Sequence, residues 1–340
     1  MQRFDIKSKQ YGFTLVELLI SVALGVIVLA IIFSTFKSQH DSYSVQGQIT
    51  MVQQNMRSAL QMITYDIQMA GRYTNLIDSN YSSDWDNNTT TADIAIRPML
   101  YHVNDVKSVS GVKNGTDVLV IIKASDKYRK LVFGESATPG SSLTAKLILT
   151  DWEKNGKIKN PRDLNGDGDD DLFYYPAAGH SKYGLLTKKE LNRAEVFEVD
   201  SSNDFVFKSG LIDSYGEGDS LFKLDVIMYI IDDSDPEHPC LGRRNIGTDN
   251  SFSVIAENVE NLQFEFILSD GSIVKDLDTV SNIPLIRAVK VYILARTENE
   301  IRGYSDLRNY EMGSIVSYKP ADGYLRRLLS ATIKTRNISQ

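Results

Sequence analysis

Residues 12–36 read GFTLVELLISVALGVIVLAIIFSTF, and this stretch decides the fold. From Phe13 to Phe36 it is almost wholly apolar, contains no proline and carries one charge, at Glu17. A helix rises 1.5 Å per residue, so these residues span roughly 36 Å, enough to cross a hydrocarbon core of about 30 Å. We therefore predict a membrane-spanning helix over residues 13–36.

Residues 1–12, MQRFDIKSKQYG, form a short basic leader in front of this span. Positive charge before a span favours keeping that end in the cytoplasm. A secretory signal peptide would have a shorter apolar region and a small-residue cleavage site after it, and neither is present here. A simple membrane anchor explains everything except Glu17, because a carboxylate inside the bilayer costs about 2.5–3.5 kcal/mol. The simple anchor stays open as an alternative, since near the interface Glu17 could reach water.

GFTLVELLIS, at residues 12–21, resembles the type IV prepilin signature of glycine, a first mature phenylalanine and a glutamate at the fifth mature position. The resemblance implies that a membrane peptidase cleaves between Gly12 and Phe13 and methylates the new amino terminus. It also implies a role for Glu17 in subunit assembly. Pairing of Glu17 with the Phe13 amine of a neighbouring subunit would neutralise two charges, each costly when buried alone.

A second apolar pattern predicts that the helix continues beyond the membrane as an amphipathic segment over residues 37–71. Apolar residues follow one another at spacings of three and four, the period of one helical face. They are Val45, Ile49, Val52, Met56, Leu60, Ile63 and Ile67. The pattern places Arg57 and Asp66 on other faces, and Gly71 predicts the helix end. The stripe is expected to pack on a sheet of its own head, with a seam against a partner helix as the alternative.

The remainder, residues 72–340, is predicted to form a β-rich head in the periplasm or at the cell surface. Short β-branched and aromatic runs are bounded by Gly, Asn, Asp or Ser, which is typical of antiparallel strands joined by hairpins and long loops. The runs cover residues 117–125, 143–150, 204–210, 222–232, 262–270 and 286–297. The predicted fold class is α+β, with a long N-terminal helix, transmembrane in its first half, packed on an antiparallel β-sheet head.

Composition excludes several functions. The net charge of −7 argues against nucleic-acid binding. Cys240 is the single cysteine, so no intrachain disulfide can form, and we predict a partly buried, inert thiol, with pairing to a partner chain as the alternative. No G-x-S-x-G, H-E-x-x-H or phosphate-binding glycine loop occurs, and the four histidines are scattered, which predicts surface histidines and a protein that is not an enzyme. The pair Arg326-Arg327 is predicted to be solvated or ion-paired.

One acidic stretch, DLNGDGDDD at residues 163–171, has the spacing of a calcium-binding loop. Alternating oxygen ligands, a glycine at the turn and one backbone carbonyl can wrap a calcium ion. The candidate ligands are Asp163, Asn165, Asp167, Asp169 and Asp171. Position twelve holds Tyr174 instead of the usual bidentate glutamate, so the loop is not a complete EF-hand. The alternative is a solvated acidic turn, and calcium is the candidate cofactor.

Further segments resemble the PilW-type minor pilins, in order and spacing, across most of the chain. They are residues 57–73, 115–125, 255–271, 286–297 and 324–337. The resemblance implies a minor pilin that primes or caps a type IV pilus, with a type II secretion pseudopilin or a pilus-tip adhesin module as alternatives. Implied partners are other minor pilins, the major pilin, the prepilin peptidase and the inner-membrane assembly platform. The head would lie in the periplasm before assembly and on the pilus afterwards.

Overall fold

The structure is a computed structural model of the chain. The described residues are 14–74, 81–82, 95–96, 99–107, 109, 111–131, 136–138, 152–154, 157–159, 183–190, 193–199, 205–206, 213–246, 248–249, 251–277 and 285–338. The chain divides into two compact units, Met1–Met51 and Val52–Gln340, and each is described by itself.

One helix, α1, runs over Leu15–Met69 and contributes to both units. It ends where the sequence predicts, because Gly71 adopts a left-handed conformation with φ of 78°, which glycine reaches without steric cost. The Gly71 N–H then donates to the Ile122 carbonyl oxygen at 3.0 Å, so the chain leaves the helix directly onto a strand.

The second unit contains short and long strands whose described pairings are all antiparallel. In chain order they are β1 Tyr81–Ser82, β2 Ala95–Ile96, β3 Leu100–Val103, β4 Val118–Lys130, β5 Trp152–Lys154, β6 Lys157–Lys159, β7 Tyr183–Thr187, β8 Ala194–Val199, β9 Phe205–Val206, β10 Ser220–Asp232, β11 Cys240–Asn245, β12 Ser253–Glu257, β13 Val259–Leu268, β14 Ile273–Val274, β15 Ile286–Arg296, β16 Tyr310–Met312, β17 Ile315–Tyr318 and β18 Arg326–Lys334.

Two of the sheets carry the head. The larger has the order β12-β11-β10-β7-β8-β9, with β4 also paired to β10 and β3 paired to β4. The smaller has the order β14-β13-β15-β18. Long strands rich in valine, isoleucine and phenylalanine dominate both sheets, because such side chains fit a pleated surface that is buried.

The last turns of α1 share one apolar core with both sheets. Val52, Met56 and Ile63 of the helix are buried in it. The sheets contribute further buried side chains, among them Leu119, Ile121, Tyr229, Phe264, Phe266, Val289 and Val291. Each such side chain contributes about 1.5–3 kcal/mol through removal from water. The α+β fold class is thus confirmed, and this part of the stripe packs on its own head.

The strand predictions agree with the structure where the residues are described. The runs at 222–232, 262–270 and 286–297 correspond to β10, β13 and β15, and the run at 117–125 extends to Lys130 in β4. The run at 143–150 lies outside the described residues, and of 204–210 the structure describes only β9. The strand at Arg326–Lys334 was not among the predicted runs.

Candidate functional site

The predicted site begins at the N-terminus of α1, where Thr14 and Glu17 form a capping box. The Glu17 N–H donates to Thr14 Oγ1 at 3.2 Å. In return, the Thr14 N–H and hydroxyl donate to Glu17 Oε2 at 2.9 and 3.1 Å. This reciprocal arrangement satisfies two helix donors that have no partner within the helix, and it holds a carboxylate at the positive end of the helix dipole.

The capping box leaves Glu17 able to accept further hydrogen bonds. Both bonds from Thr14 go to Oε2, and within the described residues Oε1 has no hydrogen-bond partner. A carboxylate has about four acceptor positions, so a further donor can bind without breaking the box. Gly12 and Phe13, the predicted processing residues, lie outside the described residues, so their predicted roles stay predictions.

The apolar half of α1 suits a hydrocarbon environment. Its large side chains from Leu15 to Phe36 are all exposed, and α1 is long and apolar enough to cross a membrane. The hydroxyls of Ser21 and Thr35 donate to carbonyl oxygens four residues earlier, at 2.8 and 2.9 Å. Unsatisfied polar groups are costly in lipid, so these internal bonds allow hydroxyls within the span.

At the other end of α1, Asp66 is the centre of a buried charged cluster. It is 1% exposed, although the sequence analysis placed it on a face other than the apolar stripe. That prediction was wrong, because Asp66 follows Ile63 by three positions and Ala59 by seven and so shares their buried face. The spacing itself was the signal that sequence reasoning missed.

Three strands supply the partners of Asp66. Lys123 Nζ of β4 lies 2.9 Å from Oδ1. The Tyr229 hydroxyl of β10 donates to Oδ2 at 2.6 Å, and Arg243 Nε of β11 donates to the same oxygen at 3.0 Å. The cluster therefore joins the helix to three adjacent strands of the larger sheet.

The electrostatics keep this cluster ionised. Burial by itself raises the pKa of Asp66, but the hydrogen bonds from Tyr229 and Lys123 and the charges of Lys123 and Arg243 outweigh it, so the pKa is lowered. Burial and the nearby Asp66 carboxylate raise the pKa of Tyr229, so its hydroxyl stays protonated and donates. Asp66 is thus an acceptor-only carboxylate that fixes the axial position of the last turns of α1 on the sheet.

A second buried cluster surrounds Arg326 at the start of β18. Arg326 is 0% exposed and binds Glu260 Oε2 at 2.5 Å. It also binds Asp322 through two nitrogens, at 2.5 and 2.7 Å, and the Tyr318 hydroxyl donates to Glu260. Of the predicted solvated or ion-paired pair, Arg326 is ion-paired, and Arg327 is exposed.

His102 corrects the prediction of surface histidines. Its side chain and that of Asp117 are both 0% exposed, with Nε2 3.0 Å from Oδ2. Asp117, the residue before β4, also accepts the Phe264 N–H of β13 at 2.8 Å. The imidazole stands edge-on to the Phe266 ring, with 5.0 Å between centroids. Tertiary packing, which a single histidine in the sequence does not reveal, buries this pair.

Two further predictions concern the thiol and the metal. Cys240 is half-buried, its thiol donates to the His238 carbonyl oxygen at 3.1 Å, and burial raises its pKa, all of which disfavour the reactive thiolate. Within the described ranges no group of three or more His, Cys, Asp or Glu residues could hold a metal. The predicted calcium ligands Asp163, Asn165, Asp167, Asp169 and Asp171 lie outside those ranges.

Comparison with known proteins agrees with this organisation. The prokaryotic N-terminal methylation motif matches residues 7–33, which contain the capping box and the apolar start of α1. The apolar helix, this motif and the antiparallel head are together similar to the organisation of a type IV pilin-like protein. The model of type IV pilus-assembly protein W, PilW, matches residues 228–337, which run from within β10 to beyond β18. Over these two ranges the chain is similar to type IV pilin-like proteins of the PilW type.

Similarity outside these matches is limited. A search of the curated proteins finds no significant match. Among solved structures, a type IV-like pilin from Thermus thermophilus is similar at 14% identity and a TM-score of 0.25, over 47% of this chain and 86% of that chain. Of the PilW-like segments noted in the sequence, residues 57–73 and 115–125 lie outside both matched ranges.

Proposed function

We propose that the chain is a minor pilin that helps to prime or cap a type IV pilus. The methylation motif over residues 7–33, followed by the capped apolar helix, is the observation that carries the proposal. The PilW match over residues 228–337 supports a role in pilus assembly. The role is structural and not catalytic, and its partners are the major pilin, other minor pilins and the inner-membrane assembly platform.

In this proposal the prepilin peptidase cleaves after Gly12, and the new amine on Phe13 becomes cationic. Glu17 of one subunit then accepts the amine of a neighbour through the oxygen that Thr14 leaves unused. In a low-dielectric bundle this pairing neutralises both charges and sets the axial register between helices. The head lies in the periplasm before assembly and on the pilus afterwards.

Two anchor variants test this scheme. Gly12→Leu should block processing, seen as a band that keeps the mass of residues 1–12 on a gel. Glu17→Ala should be processed normally but incorporated poorly into sheared pili, because a neighbour's amine then has no buried acceptor. Ser21→Ala on the same helix is the matched control. Normal amounts of the Glu17→Ala protein in sheared pili would refute the role of Glu17.

Deletion of the protein tests the assembly role itself and its alternatives. We expect fewer pili and reduced twitching. Unchanged pilus number and motility would refute the priming role, and loss of protein secretion instead would favour a type II secretion pseudopilin. Loss of surface attachment with normal piliation would favour the adhesin module.

We also propose that the acidic loop at residues 163–171 binds calcium, on the strength of its alternating oxygen ligands. Calcium titration should raise the melting temperature of the full chain, and Asp167→Asn should abolish the rise. Magnesium is the matched control ion, because it prefers a smaller octahedral site. No shift at about millimolar calcium, where extracellular modules bind, would refute this site.

A further inference from the structure

The strand β18 forms one edge of the smaller sheet, whose order is β14-β13-β15-β18. Its inner side pairs with β15 in an unbroken register from Ala288↔Lys334 to Arg296↔Arg326. Among the residues that the structure describes, no strand pairs with its outer side. We call this outer side, over residues 328–334, the β18 edge.

Hydrogen bonds at both ends show which backbone groups point outwards. Thr335 N–H donates to the Arg287 carbonyl oxygen and Thr297 N–H to that of Leu325, each at 3.0 Å. In an antiparallel pair the bonding residues alternate, so the odd-numbered residues of β18 bond β15. The outward groups then belong to the even-numbered residues. The Arg326 carbonyl oxygen is consistent with this alternation, because it accepts a hydrogen bond from the Arg308 side chain at 3.0 Å and not from β15.

The β18 edge is therefore a row of open donors and acceptors. The outward N–H and C=O groups belong to Leu328, Ser330, Thr332 and Lys334, all of them exposed residues. Within the described residues these groups have no hydrogen-bond partner. Proteins usually protect such an edge with charged side chains, a bulge, a proline or a covering element. The β15–β18 register contains no bulge and residues 328–334 no proline, and Lys334 places one charge at the end of the edge.

A cavity beside the β18 edge supplies specificity. It has a volume of about 200 Å³ and is lined by Gln53, Met56 and Arg57 of α1 and by Arg327, Leu328 and Leu329 of β18. Two guanidinium groups and an apolar floor face the same space, which suits the methylene stem and carboxylate of a glutamate.

Charge decides the chemistry of the occupant. Neither residues 52–65 of α1 nor residues 323–338 contain an aspartate or glutamate, although the whole chain carries a net charge of −7. Arg57, Arg327 and Lys334 therefore give this surface a positive sign in an otherwise acidic protein. A second copy that pairs through its own β18 edge would present the same cations and is disfavoured, because like charges across paired strands destabilise the pair.

We propose that the β18 edge binds an extended acidic segment of an adjacent pilin-like subunit as a fifth strand, with a glutamate side chain in the cavity. This inference rests on the proposed function in that the partner is another pilus subunit. Backbone hydrogen bonds to residues 328–334 would supply affinity, and the arginines would select acidic sequences. The site requires no rearrangement of the sheet, because its outward groups are already aligned.

The test uses the purified full chain in detergent and two labelled peptides, with binding measured by fluorescence anisotropy. One peptide alternates glutamate with valine and threonine, and the other has lysine in place of each glutamate. We expect binding of the acidic peptide only. Equal binding of both peptides, or binding of neither, overturns the proposal.

Ser330→Pro is the decisive variant. Proline removes the N–H of residue 330, which in the wild type points away from β15. Edge positions of this kind tolerate proline, so the sheet should fold while the added strand is blocked. We expect about a tenfold or greater loss of affinity for the acidic peptide, with Ser330→Ala, which keeps the N–H, binding as wild type. Unchanged binding by Ser330→Pro overturns the proposal, as does self-association of the wild type that Ser330→Pro abolishes.

A charge variant gives a second measurement if the proline variant does not fold. Arg327→Glu combined with Lys334→Glu should lose the acidic peptide and gain the lysine peptide. Lys275→Glu, next to β14 at the opposite edge of the same sheet, is the matched control and should bind as wild type. Peptide binding does not depend on Glu17, so failure here leaves the incorporation test of the proposed function intact.

Discussion

Removing the charge of Asp66 tests how the head holds α1. Asp66→Asn keeps the volume and one acceptor oxygen of the side chain but leaves Lys123 and Arg243 without a carboxylate. Breaking a buried ion pair by removing one partner costs about 3–5 kcal/mol. The Lys123 side chain is 10% exposed and that of Arg243 27%, so both cations retain some hydration. We therefore expect the lower end, a loss of about 3 kcal/mol in unfolding free energy.

That loss converts to a measurable temperature. For domains of this size class about 1 kcal/mol corresponds to about 2–4 °C, so the melting temperature should fall by about 6–12 °C. Thermal unfolding of the full chain in detergent, followed by near-UV circular dichroism, reports the change. Asp41→Asn, an exposed aspartate on the same helix, is the matched control and should shift by less than about 0.5 kcal/mol.

A double variant separates the pair from its environment. Lys123→Met removes the cation that lies 2.9 Å from the carboxylate. Combined with Asp66→Asn, it should cost less than the sum of the two single changes, because the second change removes a charge that the first left unpaired. A shift of Asp66→Asn no larger than that of Asp41→Asn would refute the conclusion that this cluster fixes the helix on the sheet.

Three further predictions concern Asp66, Arg326 and Gly71. The folded pKa of Asp66 lies below its unfolded value of about 3.9, so its stabilisation is complete above that pH and is lost as the pH falls through the folded pKa. The melting-temperature gap between wild type and Asp66→Asn should thus be constant between about pH 7 and 5 and should close below about pH 4; a gap that persists in strong acid contradicts this. Arg326→Met should lower the unfolding free energy by about 3–5 kcal/mol, whereas the exposed neighbour variant Arg327→Met should have almost no effect, and equal losses in chemical denaturation would show that burial of Arg326 is irrelevant. Gly71→Ala should lower the melting temperature more than Gly115→Ala does. Both glycines have positive φ, but only at Gly71 would the new methyl group lie near other atoms, 3.1 Å from Met99 Sδ. Equal melting temperatures of the two variants would contradict the expected clash with Met99.

The helix and the main strands follow from local patterns in the sequence. The apolar run after Gly12, the stripe ending at Ile67 and the stop at Gly71 each depend on neighbours within one or two helical turns. Interactions between residues that are close in sequence determine such features, so sequence periodicity predicts them. The same holds for β10, β13 and β15, whose β-branched runs are bounded by turn residues.

The polar clusters could not be predicted in this way, because their members come together only in the folded head. Asp66 meets Arg243 across 177 positions, and Arg326 meets Glu260 across 66. The order of the strands in the sheets brings these residues together, and no local spacing in the sequence predicts that order. Of these members, only Asp66 had a local signal in the sequence, its spacing of three from Ile63 and seven from Ala59, which places it on the buried face of α1.

The cluster at Asp66 has a mechanical consequence for a protein whose head is tethered through α1. A pull along the helix axis would shear α1 against the strands that hold it. Apolar contacts can exchange as a helix slides, since one methyl group can replace another in a similar environment. The three charged or polar bonds at Asp66 cannot exchange in this way, because each requires the carboxylate within hydrogen-bond distance of one particular donor. The contacts of Asp66 therefore make the last turns of α1 resist sliding along the sheet when force is applied along the helix axis, a property that apolar burial alone would not provide.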